Sequence, residues 1–193
     1  HNAFVNVDGE KMSKSLNNFF TIRDIVKSYP YNVIRFFILL GHYRSPINLS
    51  DQLLEAAKTS LERISTCVSS IDFAIKSGKL ATDAQPGDSE LSASILAARD
   101  SFVMHMDDDL NTADAITDIF NLVKISNTAL ASGKVSVMAL TDARDWIVKL
   151  ASVLGINLFE NDEGGVPSEI TELVNARAAA KKERDFAKAD SIR

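Results

Sequence analysis

The 193-residue chain contains one cysteine, Cys67, which excludes an internal disulfide and a multi-cysteine zinc site. Cys67 falls on an apolar helical repeat and reads as a small core residue rather than a nucleophile. The three histidines, His1, His42 and His105, are too scattered to give metal-ligand spacing. Asp107-Asp108-Asp109 lacks the alternating spacing, glycine and distal glutamate of a calcium loop, so it reads as a helix break. No metal site is expected in this segment. No apolar run reaches membrane-spanning length; Phe36 to Leu40 is far too short. No signal peptide is expected, and the sequence holds no glycine-rich phosphate loop of the P-loop or dinucleotide type. No membrane partner is expected, and the cytoplasm is the expected compartment.

What is present is ordinary in bulk, with 46% hydrophobic and 24% charged residues. The net charge of −5 is unevenly spread. Residues 1–50 carry a balance of +3, residues 51–167 of −9 and residues 168–193 of +1. A polyanion would meet the two ends more readily than the middle, which argues against a general nucleic-acid binder but leaves room for local contacts. The chain begins at His1 in a strand pattern and ends at Arg193 in a helical one, so it reads as part of a longer polypeptide.

Phe4 to Val7 alternates as a short half-buried strand, followed by an Asp8-Gly9 turn. Thr21 with Asp24 predicts a capping box and a short helix that stops before Pro30. Pro30 is expected in the first turn of the next helix, which runs to about Leu40 and is apolar nearly all round, hence buried. Ser50 caps a long helix with a stripe from Leu53 and Leu54 through Ile75. Residues 79–89 read as a mobile surface connection. Further helices are predicted over about 90–106, from a Thr112 cap to near Gly133, and from a Ser136 cap to Leu154. The expected fold is mainly α: a short strand or hairpin leads into an up-and-down helical bundle, followed by a C-terminal helix capped by Ser168.

Lys11-Met12-Ser13-Lys14-Ser15 places two ammonium groups and two hydroxyls on a loop leaving a sheet edge, where they can grip an oligophosphate. An arbitrary pair of lysines at this spacing is usually a solvated turn. The longer run Gly9 to Asp24, with Arg35-Phe36-Phe37, Gly41 to Ser45, and Met106 to Thr112, resembles cysteinyl-tRNA synthetase, a class I aminoacyl-tRNA synthetase. Ile170, Arg177, Ala189-Asp190 and Ile192-Arg193 resemble that family's late helix. Asn18 stands where the family usually has glycine.

The resemblance implies that the chain is the back half of such an enzyme. Residues 1–50 would end the catalytic domain, 51–155 form the tRNA-binding type of bundle, 156–167 a linker, and 168–193 begin the anticodon-binding region. It implies activation of cysteine with ATP and Mg2+ and transfer to tRNA(Cys), by an enzyme expected to be a monomer. Lys14 would be the main pyrophosphate contact and Lys11 a second. Ser13 and Ser15 would donate hydrogen bonds or hold the loop's shape, and Met12 would anchor the loop. His42, Arg44, Arg177, Lys181 and Lys182 would be candidates for tRNA contact; a structural hydrogen bond for His42 and Arg44, and a solvated face for the others, are the plain alternatives. The family's Zn2+ ligands are expected upstream of His1, and the isolated piece is expected to be inactive. The competing functions are a related ligase joining cysteine to an amino-sugar, and a non-catalytic helical interaction module.

Overall fold

The computed structural model describes residues 5–13, 15, 19–159 and 177. The chain divides into two compact units, His1–Leu158 and Phe159–Arg193. In the first unit, β1 (Val5–Val7) and β2 (Glu10–Lys11) form an antiparallel hairpin. Helices α1 (Ile22–Ile25) and α2 (Tyr31–Leu39) follow, then β3 (Ile47–Leu49), which pairs in parallel with β1. The sheet order is β2-β1-β3. Four long helices complete the unit: α3 (Asp51–Lys76), α4 (Asp88–Asp107), α5 (Thr112–Ser132) and α6 (Val137–Val153). Among the described residues no helix is long and apolar enough to cross a membrane.

The helix signals act as their chemistry requires. Thr21 and Asp24 close a full capping box, and Ser50 and Ser136 accept the Leu53 and Ala139 amides. Three details depart from the sequence reading. Pro30 is the residue before α2, with an extended ψ of 150°, rather than in its first turn. Asn111, not Thr112, caps α5 by accepting from the Asp114 amide. The Thr112 hydroxyl donates instead to the carbonyl of Leu39, at 2.8 Å. Ser168 lies outside the described residues.

The core is the stripe of each bundle helix turned inward. Ile64, Val68 and Ile71 of α3 meet Ile116, Ile119 and Leu122 of α5 and Leu140 and Ile147 of α6 in one cluster. Cys67 belongs to it, and burial pushes its thiol up to about 11, so it remains protonated and inert at neutral pH. Trp146 packs against the same cluster, with Arg99 and Lys149 over its ring.

Helices α3 and α4 do not pack side by side; both lie against α5 and α6. The connection between them therefore crosses the end of the bundle, and it is pinned rather than loose. Asp88 accepts from the amides of Gln85 and Ser136 at 2.9 and 2.8 Å, and these bonds hold its carboxyl below the usual range. Gly87 donates to the Lys134 carbonyl so closely that a Cβ would come within 2.8 Å of that oxygen. The surface connection expected over 79–89 is thus bonded at Gly87 and Asp88 to the α5–α6 turn.

Helix α2 joins the small sheet to the bundle. Phe36 is fully buried and meets Phe120 edge-on, with ring centroids 6.4 Å apart. Asn32 exchanges two hydrogen bonds with the backbone of Asn157, at 2.7 and 3.1 Å. At the other end Thr112 holds the Leu39 carbonyl. The expected all-round burial of α2 holds for Val33, Ile34 and Phe36 but not for Ile38 and Leu40, which are exposed. Packing is continuous across residue 50, and Ile156 and Leu158 are buried core residues, so the compact unit extends past the expected bundle end at 155.

Phe36→Ala is expected to destabilise the protein by about 3–5 kcal/mol, since it removes a buried ring and leaves a cavity at the junction. Urea unfolding measures this; a loss under about 1 kcal/mol would show that α2 is not held by that ring.

Candidate functional site

Asp8 and Gly9 both have left-handed φ, 49° and 86°, which makes the β1–β2 turn the tight mirror-image type that suits a twisted hairpin. The turn is tied sideways to β3. The Gly9 amide donates to Asn48 Oδ1 at 2.9 Å, and the Asp8 amide to the Leu49 carbonyl at 3.2 Å. Lys11 lies on β2 opposite Asn6, so the loop proper begins one residue later than the sequence suggests. The Met12 amide donates to the Val5 carbonyl at 3.0 Å, continuing the ladder.

The Met12 side chain packs on a small cluster of Val7, Leu49 and the α3 residue Leu54. Ser13 and Ser15 bring their hydroxyls within 3.2 Å of each other. Lys14 lies outside the described residues. Beside the hairpin, a cavity of about 260 Å³ is lined by Asp8, Phe20, Tyr29, Ser50 and Asp51 among others.

Where the chain returns from the loop, Asp24 accepts from the hydroxyl and amide of Thr21 and pairs with Lys27 at 3.0 Å. These bonds, the Thr21 hydroxyl first, lower its carboxyl from 3.8 to about 2.

His42 and Arg44 are brought together on the α2–β3 connection, around a residue that sequence reasoning assigned only to a helix break. Asp109 Oδ1 accepts from the Tyr43 hydroxyl at 2.8 Å and from Arg44 Nη2 at 3.1 Å. Its Oδ2 lies 3.0 Å from Arg44 Nη1 and 3.7 Å from His42 Nε2. His42 stacks on Tyr43 at 4.8 Å, and Arg44 Nε donates to the Tyr43 oxygen at 3.0 Å. The aspartates do end α4: Asp108 is its cap, and Asp109 and Leu110 turn the chain with φ 54° and 55°. No spacing in the sequence signals the partnership, because Tyr43 and Asp109 meet only through the packing of α2. Arg177 is helical and half-buried; Lys181 and Lys182 lie outside the described residues.

Among the described residues no three His, Cys, Asp or Glu side chains gather as a metal site. A hydrogen bond of 2.7 Å between His105 Nδ1 and the buried Asp118 carboxylate joins α4 to α5.

Residues 1–59 match the family of class I (C) tRNA synthetase catalytic domains, and residues 101–159 match the DALR domain. Over these two stretches the chain is similar to the class I tRNA synthetases, with a catalytic-domain portion followed by a DALR domain. Within that class it is similar over its whole length to cysteine–tRNA ligases. It is 42% identical to those of Oceanobacillus iheyensis, Caldicellulosiruptor saccharolyticus and Geobacter sulfurreducens. The chain spans 41–42% of the length of these relatives. Its fold is similar to that of a chain in the ternary complex of Agrobacterium radiobacter K84 agnB2 LeuRS, tRNA and LeuAMS. That match has a TM-score of 0.64 at 22% identity, over 79% of this chain and 20% of that one.

Because its folded carboxyl is depressed, Asp24 contributes stability that is present above pH 3.8 and is lost as pH falls through about 2. Carbon-detected NMR of its carboxyl should titrate near 2 in the parent and move toward 3.8 in Thr21→Ala. An unshifted midpoint in the variant would exclude the capping box as the cause.

Proposed function

We propose that this chain is part of a cysteine–tRNA ligase, which activates cysteine with ATP and transfers it to tRNA(Cys). The observation that carries the reading is whole-length similarity to such ligases, with the Lys11–Ser15 signature at the end of a hairpin fixed to a DALR-type bundle. In the reaction the cysteine carboxylate attacks the α-phosphorus of ATP and pyrophosphate leaves. The 3′-terminal hydroxyl of the tRNA then attacks the activated carbonyl and AMP leaves.

Attack on phosphorus moves negative charge onto the leaving pyrophosphate, where fixed cations lower the barrier most. Lys14 is assigned the main contact and Lys11 the second. Lys11 sits on a paired strand and so has a fixed origin, whereas Lys14 follows the Met12 anchor. Ser13 and Ser15 keep the loop's turn or donate to phosphate oxygens. Mg2+ enters with ATP as part of the substrate. A Zn2+ ion does not fit this chain's own residues: its one cysteine is buried and protonated, and the described side chains offer no ligand cluster. Any such ion belongs to the portion of the ligase beyond this chain.

Residues 1–50 are assigned to the catalytic domain, the bundle to tRNA-facing support, and 168–193 to the anticodon side, with Arg177, Lys181 and Lys182 as phosphate contacts. His42 and the exposed Arg44 are assigned to the acceptor side of the tRNA, a role they share with their pairing to Asp109. The enzyme is taken to be a cytoplasmic monomer.

Lys14→Ala in the full-length ligase should slow cysteine-dependent ATP–pyrophosphate exchange about a hundredfold, or about 3 kcal/mol, with a smaller effect on ATP affinity. Exchange at the parental rate would remove the loop from the chemistry. Replacing Lys181 and Lys182 together by Glu should leave exchange unchanged and weaken tRNA binding, most at low salt. Equal tRNA affinity at every ionic strength would return both lysines to a plain solvated face.

A further inference from the structure

The carboxylate of Asp109 is 41% exposed and the Arg44 side chain 68%, so their ion pair is screened and adds little to overall stability. Yet Asp109 holds an uncommon left-handed backbone and collects Tyr43, Arg44 and His42 at once. What those contacts do is mechanical. The segment that Asp109 grips runs through Ser45 and Pro46 straight into β3. On β3, Asn48 holds the Gly9 amide, and the Leu49 carbonyl holds the Asp8 amide. The signature loop leaves the far side of that same hairpin.

The hairpin's apolar seat is small: Val7, Leu49 and the α3 residue Leu54 are buried, with Met12, Ile25, Tyr29 and Phe37 packed against them, and a cavity of about 260 Å³ lies beside Asp8. Apolar contact with Leu54 is not directional, so the hydrogen bonds along β3 set the angle of the hairpin on that seat.

We propose that Asp109 is a positioning residue for the signature loop. From the α4–α5 turn of the bundle it sets the α2–β3 connection, and through β3 and Asn48 it sets the hairpin from which the loop projects. This rests on the cysteine–tRNA ligase reading only for its catalytic consequence; the mechanical link stands on the contacts themselves. Neither residue touches substrate in this account.

The test uses the full-length ligase with Asp109→Asn, which tolerates the left-handed backbone while losing the charge, and with Asn48→Ala and the double variant. Amide hydrogen exchange is the first readout. Gly9 and Met12 should exchange about tenfold faster in Asp109→Asn, with core amides of α3 and α5 unchanged. Cysteine-dependent ATP–pyrophosphate exchange is the second, measured without tRNA so that any tRNA contact of Arg44 cannot contribute. Its kcat should fall about tenfold with KM for ATP nearly constant, as a loop displaced from its reactive position requires. The double variant should be no slower than the slower single, because both residues act in one series.

Parental exchange at Gly9 and Met12 in Asp109→Asn would overturn the proposal, as would equal loosening of the core amides, which would reduce Asp109 to a general stabiliser. A loosened hairpin with parental kcat would also overturn it as a statement about catalysis. A loosened hairpin in an enzyme whose parent does not activate cysteine would confirm the link and reject the ligase reading instead.

Discussion

The insertion of Phe36 into the bundle is the contact on which the rest of the first unit depends. Without it α2 would lose its most buried ring, and the three-stranded sheet would keep its seat only through Leu54 of α3 and the remaining α2 contacts. Burying that one ring against Phe120 brings Asn32 to Asn157 and Leu39 to Thr112, so both ends of α2 are fastened by hydrogen bonds that the ring alone could not aim. Apolar burial supplies the affinity of the two parts, and the polar contacts supply the angle. Catalytic portion and DALR-type bundle thus share one core rather than meeting across a hinge.

The hairpin follows a different rule. It combines a tight turn, a short ladder and one flexible apolar side chain, Met12, resting on a small cluster. Methionine suits that position because its unbranched chain can shift while remaining in contact. The cluster reaches the bundle through Leu54 of α3, and Tyr29 and Phe37 pack on both it and the bundle core.

Most of the helical layout was legible because each long helix carries one apolar stripe and a cap with local chemistry. Ser50, Ser136 and the Thr21–Asp24 pair need only neighbours three residues away. What could not be read is whatever depends on residues distant in sequence. Ile47-Asn48-Leu49 is too short to show a period, and it becomes a strand only because β1 offers parallel partners. Asp88 and Gly87 fall in the stretch that reads as a surface connection, and their bonds to Ser136 and Lys134 exist only once α5 and α6 are folded. The Leu53, Ile38 and Leu40 side chains match apolar helix patterns and are nevertheless exposed, since a stripe specifies a face but not how much of it a partner covers. At the site, the signature residues were visible as letters. Asp109 was not, because its role is defined by who sits opposite it.

The parallel pairing of β1 with β3 has a consequence for the order of folding. Val5 and Ile47 are separated by the signature loop and two helices, so closing that pair costs chain entropy, which a small apolar cluster and a few hydrogen bonds offset. Helices α4, α5 and α6 pack on sequence neighbours and share the larger apolar core, so the bundle can form first. The sheet can then close only after α2 has docked and delivered β3. The same order read backwards makes the sheet the first element to open in the native protein, before the bundle loses anything. Proteolysis under native conditions should accordingly cut the β1–β2 region while leaving a folded four-helix remnant, and simultaneous loss of both would show a single cooperative unit.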